Sequence, residues 1–428
     1  RLQDINVVCS GESDTEVLFL CLVHFGIKKT LKIIDGMFAF AFYDDLKKKL
    51  YLARDRIGEK FIYWSKINNS LIFASEIKTL VQCNKINIKP NLKKINEIFY
   101  HRKIYGKETL FENIFELEAG TYLEYTIKES KIRIFSYWKL ENFKMVSAKS
   151  DYLEEFEYNF LNSVKSRMVS DVPIGSLISG GIDSSALVQT MLDIESNLNL
   201  NLFFYEAKIK KFNEKNDVNL FLGNMKSKYP LSKINLHTVR RKSHKFLNEY
   251  SKMTYHYDEP LTFNNFHLVS DLTKKAYQKN IKVIFSGEGV DELLFGYDRF
   301  FRTSRIISQC KNDHEKLQNI YFGAGINNIE IIAQLNNKSN TMEYQDSCSW
   351  KYLKKIYKDF DSDTVQILFS QKFRLIGLLQ RQDRAAMANS VESRAPFLAP
   401  KFFNWVNGLP IDVKRNIKKN KNKIILKN

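Results

Sequence analysis

The feature that most constrains this chain is a short loop rich in glycine and serine, Ser179–Ser185, with the sequence SGGIDSS. An apolar run at 172–178 predicts a buried strand before it, and residues 186–191 are typical of the first turns of a helix. Such a loop presents backbone N–H groups and the positive end of a helix to an anion. It lacks the Gly-Lys-Ser/Thr ending of a Walker A loop. The loop therefore predicts a phosphate site in which Asp183 holds Mg²⁺, and the alternative is a turn that only caps a helix.

A second loop of similar character follows the apolar strand predicted at 283–285. Its residues 286–293 read SGEGVDEL and place three carboxylates within five positions, at Glu288, Asp291 and Glu292. Ligands of open parallel sheets bind at the carboxyl ends of strands, so we expect both loops to face one crevice. Carboxylates this close repel one another unless a cation lies between them, and Asp183 and Asp291 are therefore the predicted Mg²⁺ ligands. A solvated acidic turn is the alternative for this stretch alone.

Composition excludes several classes of protein. With 428 residues the chain is too long for one ordinary core, and two domains are expected. No apolar run approaches the roughly 18 residues that cross a bilayer, so no membrane is an expected partner. The charge is +18, from 66 Lys and Arg against 48 Asp and Glu, but the lysines are scattered, and nucleic acid is not an expected partner. The five cysteines lack metal-binding spacing and predict a reducing, cytoplasmic location.

The pattern of the sequence changes near residues 137–150. Before this point, short apolar runs alternate with turn signals from residue 31 to residue 135, which predicts antiparallel hairpins. After it, a helical pattern at 152–168 leads into alternating strands and helices up to about residue 300, which predicts a parallel α/β sheet. Beyond that point the segments predict helices, at 353–360, 364–379 and 402–406.

Further motifs accompany the two loops. Asp258-Glu259-Pro260 and the block DRAAMANSVESRAPFL at 383–398 lie in the second half, and others lie in the first half, at 13–17, 36–41, 53–60 and 73–76. In order and spacing, the whole set resembles the glutamine-hydrolysing asparagine synthetases over nearly the entire chain. The resemblance implies an α/β protein whose residues 1–140 form an incomplete Ntn-hydrolase-like glutamine amidotransferase domain of sandwiched β-sheets with helices. It implies a parallel-sheet ATP-pyrophosphatase (PP-loop) domain with a helical C-terminal part at 150–428.

In this family, the amidotransferase nucleophile is an N-terminal cysteine that uses its own α-amino group as the base. This chain begins with Arg1, and because Cys9 and Cys21 are internal, neither is assigned that role. Asp14 matches the family residue that holds the α-amine of glutamine. The chain is expected to be an N-terminally shortened form that uses ammonia and does not hydrolyse glutamine, whereas the intact protein is expected to hydrolyse it.

The resemblance also implies roles for residues of the second half. Residues of both loops are expected to bind ATP and its pyrophosphate: Ile178, Ser179, Gly180, Gly181, Asp183, Ser184, Ser185, Ser286 and Gly287. Asp183 and Asp291 are expected to bind Mg²⁺. Glu288 stands where the amide-forming members carry a catalytic glutamate, and Lys423 resembles a late lysine that neutralises pyrophosphate. Lys427 replaces the arginine that usually follows this lysine, and a solvated lysine in a basic tail is the alternative for Lys423.

Three functions stay open. The first is ATP-dependent amidation of aspartate to asparagine through β-aspartyl-AMP, with release of AMP and pyrophosphate and with glutamine or ammonia as nitrogen donor. The second is amidation of another carboxylate, such as a sugar acid in surface-polysaccharide synthesis, because such enzymes share these motifs. The third is a non-catalytic regulatory homologue. A homodimer is compatible with the resemblance. The segment Phe295-Gly296-Tyr297 departs from the family's Gly-Gly-Tyr. Glu392 and Arg394 either belong to the site or only form an ion pair that shapes it.

Overall fold

A computed structural model of the chain describes residues 2–101, 103–147, 151–240, 244–262, 265–323, 347–416, 419 and 421–427. The chain divides into two compact units. Unit 1 contains Arg1–Ile86 and Asn113–Lys139, and unit 2 contains Asn87–Glu112 and Leu140–Asn428. The segment 87–112 therefore belongs to unit 2 although it precedes the change of pattern in the sequence. The predicted domain limits at 140 and 150 stay a prediction.

Unit 1 contains antiparallel strands and a long helix. Its elements are helix α1 (Asp14–Ile33), strands β1 (Ala39–Asp44), β2 (Lys49–Arg54), β3 (Tyr63–Ile67) and β4 (Ser70–Ala74), helix α2 (Ile77–Val81), and strands β5 (Phe115–Glu116), β6 (Thr121–Thr126) and β7 (Lys131–Ser136). One sheet has the strand order β1-β2-β6-β7, and the other has the order β4-β3-β5. All of these strand pairs are antiparallel, as the alternation of apolar and polar residues predicted.

Strand β2 shows how these layers pack. Leu52 lies in an apolar cluster with Trp64 of β3, in the second sheet. Its neighbours Tyr51 and Ala53 lie in a different cluster, with Leu31 of α1. Successive side chains of a strand point to opposite faces of the sheet, so β2 is covered by the second sheet on one face and by α1 on the other. Unit 1 therefore has the sandwiched sheets and the covering helix that were predicted.

Unit 2 is organised around a sheet in which every strand is parallel to its neighbours. Its strands are β8 (Ile174–Ile178), β9 (Asn199–Tyr205), β10 (Lys233–Val239), β11 (Val283–Phe285) and β12 (Glu392–Arg394). Their order is β10-β9-β8-β11-β12, so the direction of strand addition reverses between β8 and β11. Connections diverge at such a reversal and leave a crevice at the carboxyl ends of the strands, where ligands bind. The two loops that the sequence singles out follow β8 and β11 and open onto this crevice.

Helices make up most of the rest of unit 2. They are α3 (Leu92–His101), α4 (Tyr152–Met168), α5 (Ile182–Ile194), α6 (Lys215–Lys228), α7 (His244–Tyr257), α8 (Phe266–Gln278), α9 (Val290–Leu293), α10 (Asp298–Gln309), α11 (Asp313–Gly323), α12 (Cys348–Ile356), α13 (Ser362–Phe369), α14 (Leu375–Met387), α15 (Pro400–Gly408), α16 (Ile411–Lys414) and α17 (Ile424–Lys427). The helical C-terminal part is confirmed, but a π-helical turn at Ser370–Arg374 divides the helix predicted at 364–379. In the described parts of the chain, no helix is both long and apolar enough to cross a membrane.

The C-terminal basic run is partly buried. It contains the short antiparallel strands β13 (Arg415–Asn416) and β14 (Lys421–Asn422). Lys414, just before β13, is 2% exposed and donates from Nζ to the carbonyl oxygen of Asn407 at 3.0 Å. Burial lowers the pKa of Lys414 to about 7, because the ammonium form is poorly solvated there, and Asp361 only partly opposes this effect.

We expect Lys414→Met to stabilise the protein near pH 7 and to lose this advantage as the pH rises. The pKa of Lys414 is about 7 in the folded chain and 10.5 ordinarily, so between these values the unfolded chain binds a proton that the folded chain lacks. The wild-type free energy of unfolding therefore gains up to about 1.4 kcal/mol per pH unit in this window. Melting temperatures of both proteins across the window measure the effect, and Lys401→Met, at an exposed lysine, is the control. An offset that does not change with pH would contradict the assignment.

Candidate active site

The predicted phosphate loop is a closed turn between β8 and α5. Ser184 accepts a hydrogen bond from the backbone N–H of Ser179 at 3.0 Å, and its hydroxyl lies 3.1 Å from the carbonyl oxygen of Ser179. The N–H of Gly181 donates to Ser179 Oγ at 3.2 Å. Helix α5 begins at Ile182, so its positive end faces the crevice beside β11. The serine hydroxyls therefore hold the loop in the shape that directs the helix N-terminus to an anion.

Gly180 lies against the start of α6. Its N–H donates to Glu214 Oε2 at 3.1 Å, so in this state a carboxylate occupies a donor of the predicted phosphate loop. A Cβ atom on Gly180 would lie 2.8 Å from Glu214 Cβ and 3.0 Å from Asp217 Cβ, closer than side chains tolerate. Glycine is therefore required here for close packing as well as for anion access. Sequence reasoning missed Glu214, because only the fold brings it to this loop.

The loop after β11 meets the loop after β8. A Cβ atom on Gly287 would lie 3.2 Å from Asp183 Cβ, which shows how closely the two backbones approach. Ser286, which precedes it, is buried, and its N–H donates to the carbonyl oxygen of Arg394 at 2.9 Å. The expectation that both loops face one crevice is confirmed by this geometry.

Asp183, Asp291 and Lys423 form one cluster in this crevice. Lys423 Nζ lies 2.5 Å from Asp183 Oδ2 and 2.6 Å from Asp291 Oδ1. Burial raises the pKa of Asp183, and Lys423 opposes this shift while Asp291 adds to it. Burial also acts to lower the pKa of Lys423, but the two carboxylates outweigh it and leave that pKa raised. Lys423 is buried, so the reading of a solvated tail lysine does not hold.

The cluster suits a divalent cation that also binds a nucleotide. The second oxygen of Asp183, Oδ1, is buried and has no hydrogen-bond partner within the described part of the chain. Carboxylate oxygens are the ligands that Mg²⁺ prefers, and it commonly takes one or two of them together with substrate phosphates. Among the described residues, no group of three or more His, Cys, Asp or Glu side chains is arranged to hold a metal ion. Asp183 and Asp291 therefore fit Mg²⁺ as a pair that needs phosphate oxygens to complete its ligand set.

Gly296 makes room for this cluster. A Cβ atom on it would overlap Asp291 Oδ1 and lie 2.5 Å from Lys423 Cε. Its carbonyl oxygen accepts a hydrogen bond from Asn422 Nδ2 at 3.1 Å, and the N–H of Lys423 donates to the carbonyl oxygen of Leu294 at 3.1 Å. Lys423 itself has a φ of 50°, in the left-handed region that residues with a Cβ atom rarely adopt. The C-terminal hairpin is thus fixed to the loop that carries Asp291.

The other two carboxylates of the second loop have separate partners. Glu288 forms an ion pair with Arg381 of α14, a buried residue that also donates from Nη1 to Asn265 Oδ1 at 2.9 Å. Glu292 is buried and accepts a hydrogen bond from the Tyr297 hydroxyl at 2.7 Å. Burial raises the pKa of Glu292 to about 7. The repulsion expected among the three carboxylates is therefore reduced. Arg381 pairs with Glu288, Lys423 pairs with Asp291, and the raised pKa of Glu292 favours its uncharged form.

The remaining predicted residues have different surroundings. Arg394 Nε donates to Glu392 Oε1 at 2.6 Å, and Arg394 Nη1 donates to the carbonyl oxygens of Arg167 and Val169. This pair lies within β12 and ties the edge of the sheet to the end of α4, which favours the structural role over a catalytic one. In unit 1, Asp14 is exposed in the first turn of α1.

The sequence matches two family models. The model described as asparagine synthase matches residues 155–428, and the model described as a glutamine amidotransferase domain matches residues 1–138. The first match covers more than half of the chain. The chain belongs to the asparagine synthase family. The predicted family and the predicted order of its two kinds of domain are confirmed.

Curated relatives of this asparagine synthase family member are distant. A protein of Methanocaldococcus jannaschii, itself named only provisionally as a glutamine-hydrolysing asparagine synthetase, is 30% identical over 69% of this chain and 56% of its own length. Glutamine-hydrolysing asparagine synthetase 1 of Bacillus subtilis is 27% identical over 94% of this chain and 66% of its own length. The chain thus spans less than two thirds of both relatives. A U34-tRNA thiolase from Methanococcus maripaludis aligns with a TM-score of 0.28 at 13% identity, over 53% of this chain and 80% of that one, which is too weak to support an argument.

Proposed function

We propose that this chain is an ATP-dependent amide ligase that converts aspartate to asparagine. The observation that carries the proposal is the cluster of Asp183, Asp291 and Lys423 beside the N-terminus of α5, where the strand order reverses. Two carboxylates and a lysine at the positive end of a helix suit the phosphates of ATP and the cation that accompanies them. Membership of the asparagine synthase family supports aspartate as the acceptor.

In the proposed reaction, an oxygen of the aspartate side-chain carboxylate attacks the α-phosphorus of ATP. The bond from that phosphorus to the bridging oxygen breaks, and pyrophosphate leaves. Ammonia then attacks the acyl carbon of β-aspartyl-AMP, and AMP leaves with the oxygen that came from aspartate. Ammonia brings three protons and the amide keeps two, so the site must accept one proton.

The proposed roles of the phosphate-binding residues follow from their positions. The loop from Ile178 to Ser185 places the positive end of α5 toward the phosphates, and Ser286 and Gly287 border the same crevice. Lys423 neutralises the charge of the departing pyrophosphate. Mg²⁺, held by Asp183 and Asp291, would supply further positive charge to the phosphate oxygens.

Glu288 is the proposed acceptor of the proton, and its ion pair with Arg381 holds it in place. We expect Glu288→Gln to leave ATP affinity unchanged while amide formation falls by about 10²–10⁴-fold, as is typical when a general base is lost. ATP affinity and product formation are measured on the same preparation. Glu392→Gln, which alters a carboxylate paired within β12, is the matched control. Loss of ATP binding together with activity would mean that Glu288 shapes the nucleotide pocket instead.

We propose that residues 1–140 belong to the glutamine-binding domain and residues 150–428 to the synthetase domain. In the first, Asp14 is the proposed contact for the α-amine of glutamine, whose amide nitrogen would become the ammonia of the second step. The match to a glutamine amidotransferase model supports this part of the proposal. The five cysteines lie far apart in the sequence and lack metal-binding spacing, which supports the reducing cytoplasm that we propose as the location.

The acceptor is tested by supplying the chain with ATP, Mg²⁺ and an ammonium salt, and by measuring AMP and pyrophosphate with different carboxylic acids. Ammonium replaces glutamine so that the assay reports only on unit 2. The proposal predicts stoichiometric AMP and pyrophosphate with aspartate. Release only with another acid, such as a sugar acid, would replace aspartate as the acceptor. No release with any acid would favour a regulatory homologue.

A further inference from the structure

The position of Lys423 suggests a property of the site that the reaction itself does not require. Its ammonium group lies between the two carboxylates that are the proposed metal ligands, at 2.5 Å from Asp183 and 2.6 Å from Asp291. A divalent cation shared by these carboxylates needs the same space. The lysine and the metal therefore cannot both contact the same two oxygens.

We propose that Lys423 is a built-in counter-ion that excludes free divalent cations from this site, so that the metal enters only together with a nucleotide. The inference deepens the proposed function and rests on its assignment of Asp183 and Asp291 to the metal. It concerns the order of binding, not the chemistry of the acceptor.

Charge accounts for the exclusion. The two carboxylates carry two negative charges, and Lys423 already neutralises one of them. A bare divalent cation would have to enter a largely buried site against the repulsion of this ammonium group. A nucleotide supplies several negative charges at once, so the ammonium group can move to a phosphate oxygen while the metal takes its place between the carboxylates. Metal and nucleotide then stabilise each other's binding.

The backbone limits how Lys423 can respond. The N–H of Lys423 donates a hydrogen bond to the carbonyl oxygen of Leu294, and the side-chain amide of Asn422 donates one to the carbonyl oxygen of Gly296. Both acceptors lie in the segment that follows Asp291. With the backbone tied at these two points, the ammonium group yields by rotation of the side chain. The left-handed φ of 50° at Lys423 indicates that the surrounding contacts impose this placement.

The test uses Mn²⁺ as the probe and measures its binding to the full chain by electron paramagnetic resonance, without nucleotide. We expect Lys423→Met to bind Mn²⁺ at least about tenfold more tightly than wild type, a change of about 1.4 kcal/mol. Lys421→Met removes an exposed lysine of the same hairpin and should behave as wild type. Adding Asp183→Asn to Lys423→Met should abolish the gain. For wild type, a nonhydrolysable ATP analogue should raise Mn²⁺ affinity much more than it does for Lys423→Met.

Equal or weaker Mn²⁺ binding by Lys423→Met would overturn the inference, as would a gain that survives Asp183→Asn. If circular dichroism shows that Lys423→Met is misfolded, Lys423→Gln provides the same loss of charge with a polar side chain. The readout needs neither acceptor nor turnover. A chain that binds Mn²⁺ as expected but releases no AMP would therefore contradict the proposed function and leave the inference standing.

Discussion

Replacing Gly296 with alanine is expected to reduce acceptor-dependent pyrophosphate release by more than about 100-fold, the loss that a displacement of about 1 Å can cause at a reacting centre. The added Cβ atom would lie 2.6 Å from Asp291 Cγ and 2.5 Å from Lys423 Cε, so both side chains would have to leave their positions. The backbone of Gly296 is not in the left-handed region, so alanine does not strain it. The chain should therefore fold with a disrupted cluster.

The control for this change is Gly223→Ala. Gly223 lies inside α6, and a Cβ atom there would meet no heavy atom within 4 Å. Alanine is the better helix former, so this variant should keep full activity and be slightly more stable. Both variants are compared by pyrophosphate release and by melting temperature. A Gly296→Ala protein with more than half of the wild-type rate would show that the Asp291–Lys423 contact is dispensable.

Asp183→Asn and Asp291→Asn should each reduce adenylation by about 10²–10³-fold or more, in line with the loss of one preorganised electrostatic contact in an active site. Each change removes a negative charge from the cluster but nearly preserves the side-chain volume. Because Lys423 pairs with both carboxylates, its remaining partner should hold it in place, and the fold should persist. Exchange of labelled pyrophosphate into ATP, measured with the acceptor present, reports this half-reaction alone.

Asp193→Asn is the matched control for the aspartate changes. Asp193 lies near the other end of α5, where it pairs with Lys228 on the surface, so its loss should not alter the exchange rate. Near-normal exchange by either Asp183→Asn or Asp291→Asn would refute the assignment of the pair to the metal.

The sequence was sufficient to predict that the loops after β8 and β11 meet. Each loop follows an apolar run and precedes a helical pattern, which is typical of parallel α/β units. In such units the carboxyl ends of strands share one edge of the sheet. The neighbouring positions of β8 and β11, and the approach of Gly287 to Asp183, agree with that rule.

The partners of these loops could not be predicted, because they come from distant parts of the chain. Arg381 pairs with Glu288 across 93 positions, and Lys423 reaches Asp183 across 240. A local pattern contains no information on such contacts. In the sequence, Gly296 stands out only as part of a departure from a family motif. The reason that this position must lack a Cβ atom depends on the C-terminal hairpin, which places Lys423 beside it.

Two other differences between the predicted and the observed structure have identifiable physical reasons. The apolar spacing at 364–379 continues through the π-helical turn at 370–374, so periodicity alone predicts one uninterrupted helix. The run that begins at Lys414 is rich in lysine and asparagine and has the composition of a solvated tail. Tertiary packing nevertheless buries Lys414 and Arg415, and Arg415 forms an ion pair with Asp363. Composition predicts that charged side chains are exposed on average, and this prediction fails where a charged side chain has a specific partner.

Activation of the carboxylate as an acyl-adenylate can be followed by isotope transfer. Aspartate labelled with ¹⁸O in its side-chain carboxylate is incubated with the chain, ATP, Mg²⁺ and an ammonium salt, and the products are analysed by mass spectrometry. One ¹⁸O atom should appear in AMP for each asparagine formed, and none in pyrophosphate. Label in inorganic phosphate, with ADP as the other product, would show activation at the γ-phosphorus and would rule out an acyl-adenylate.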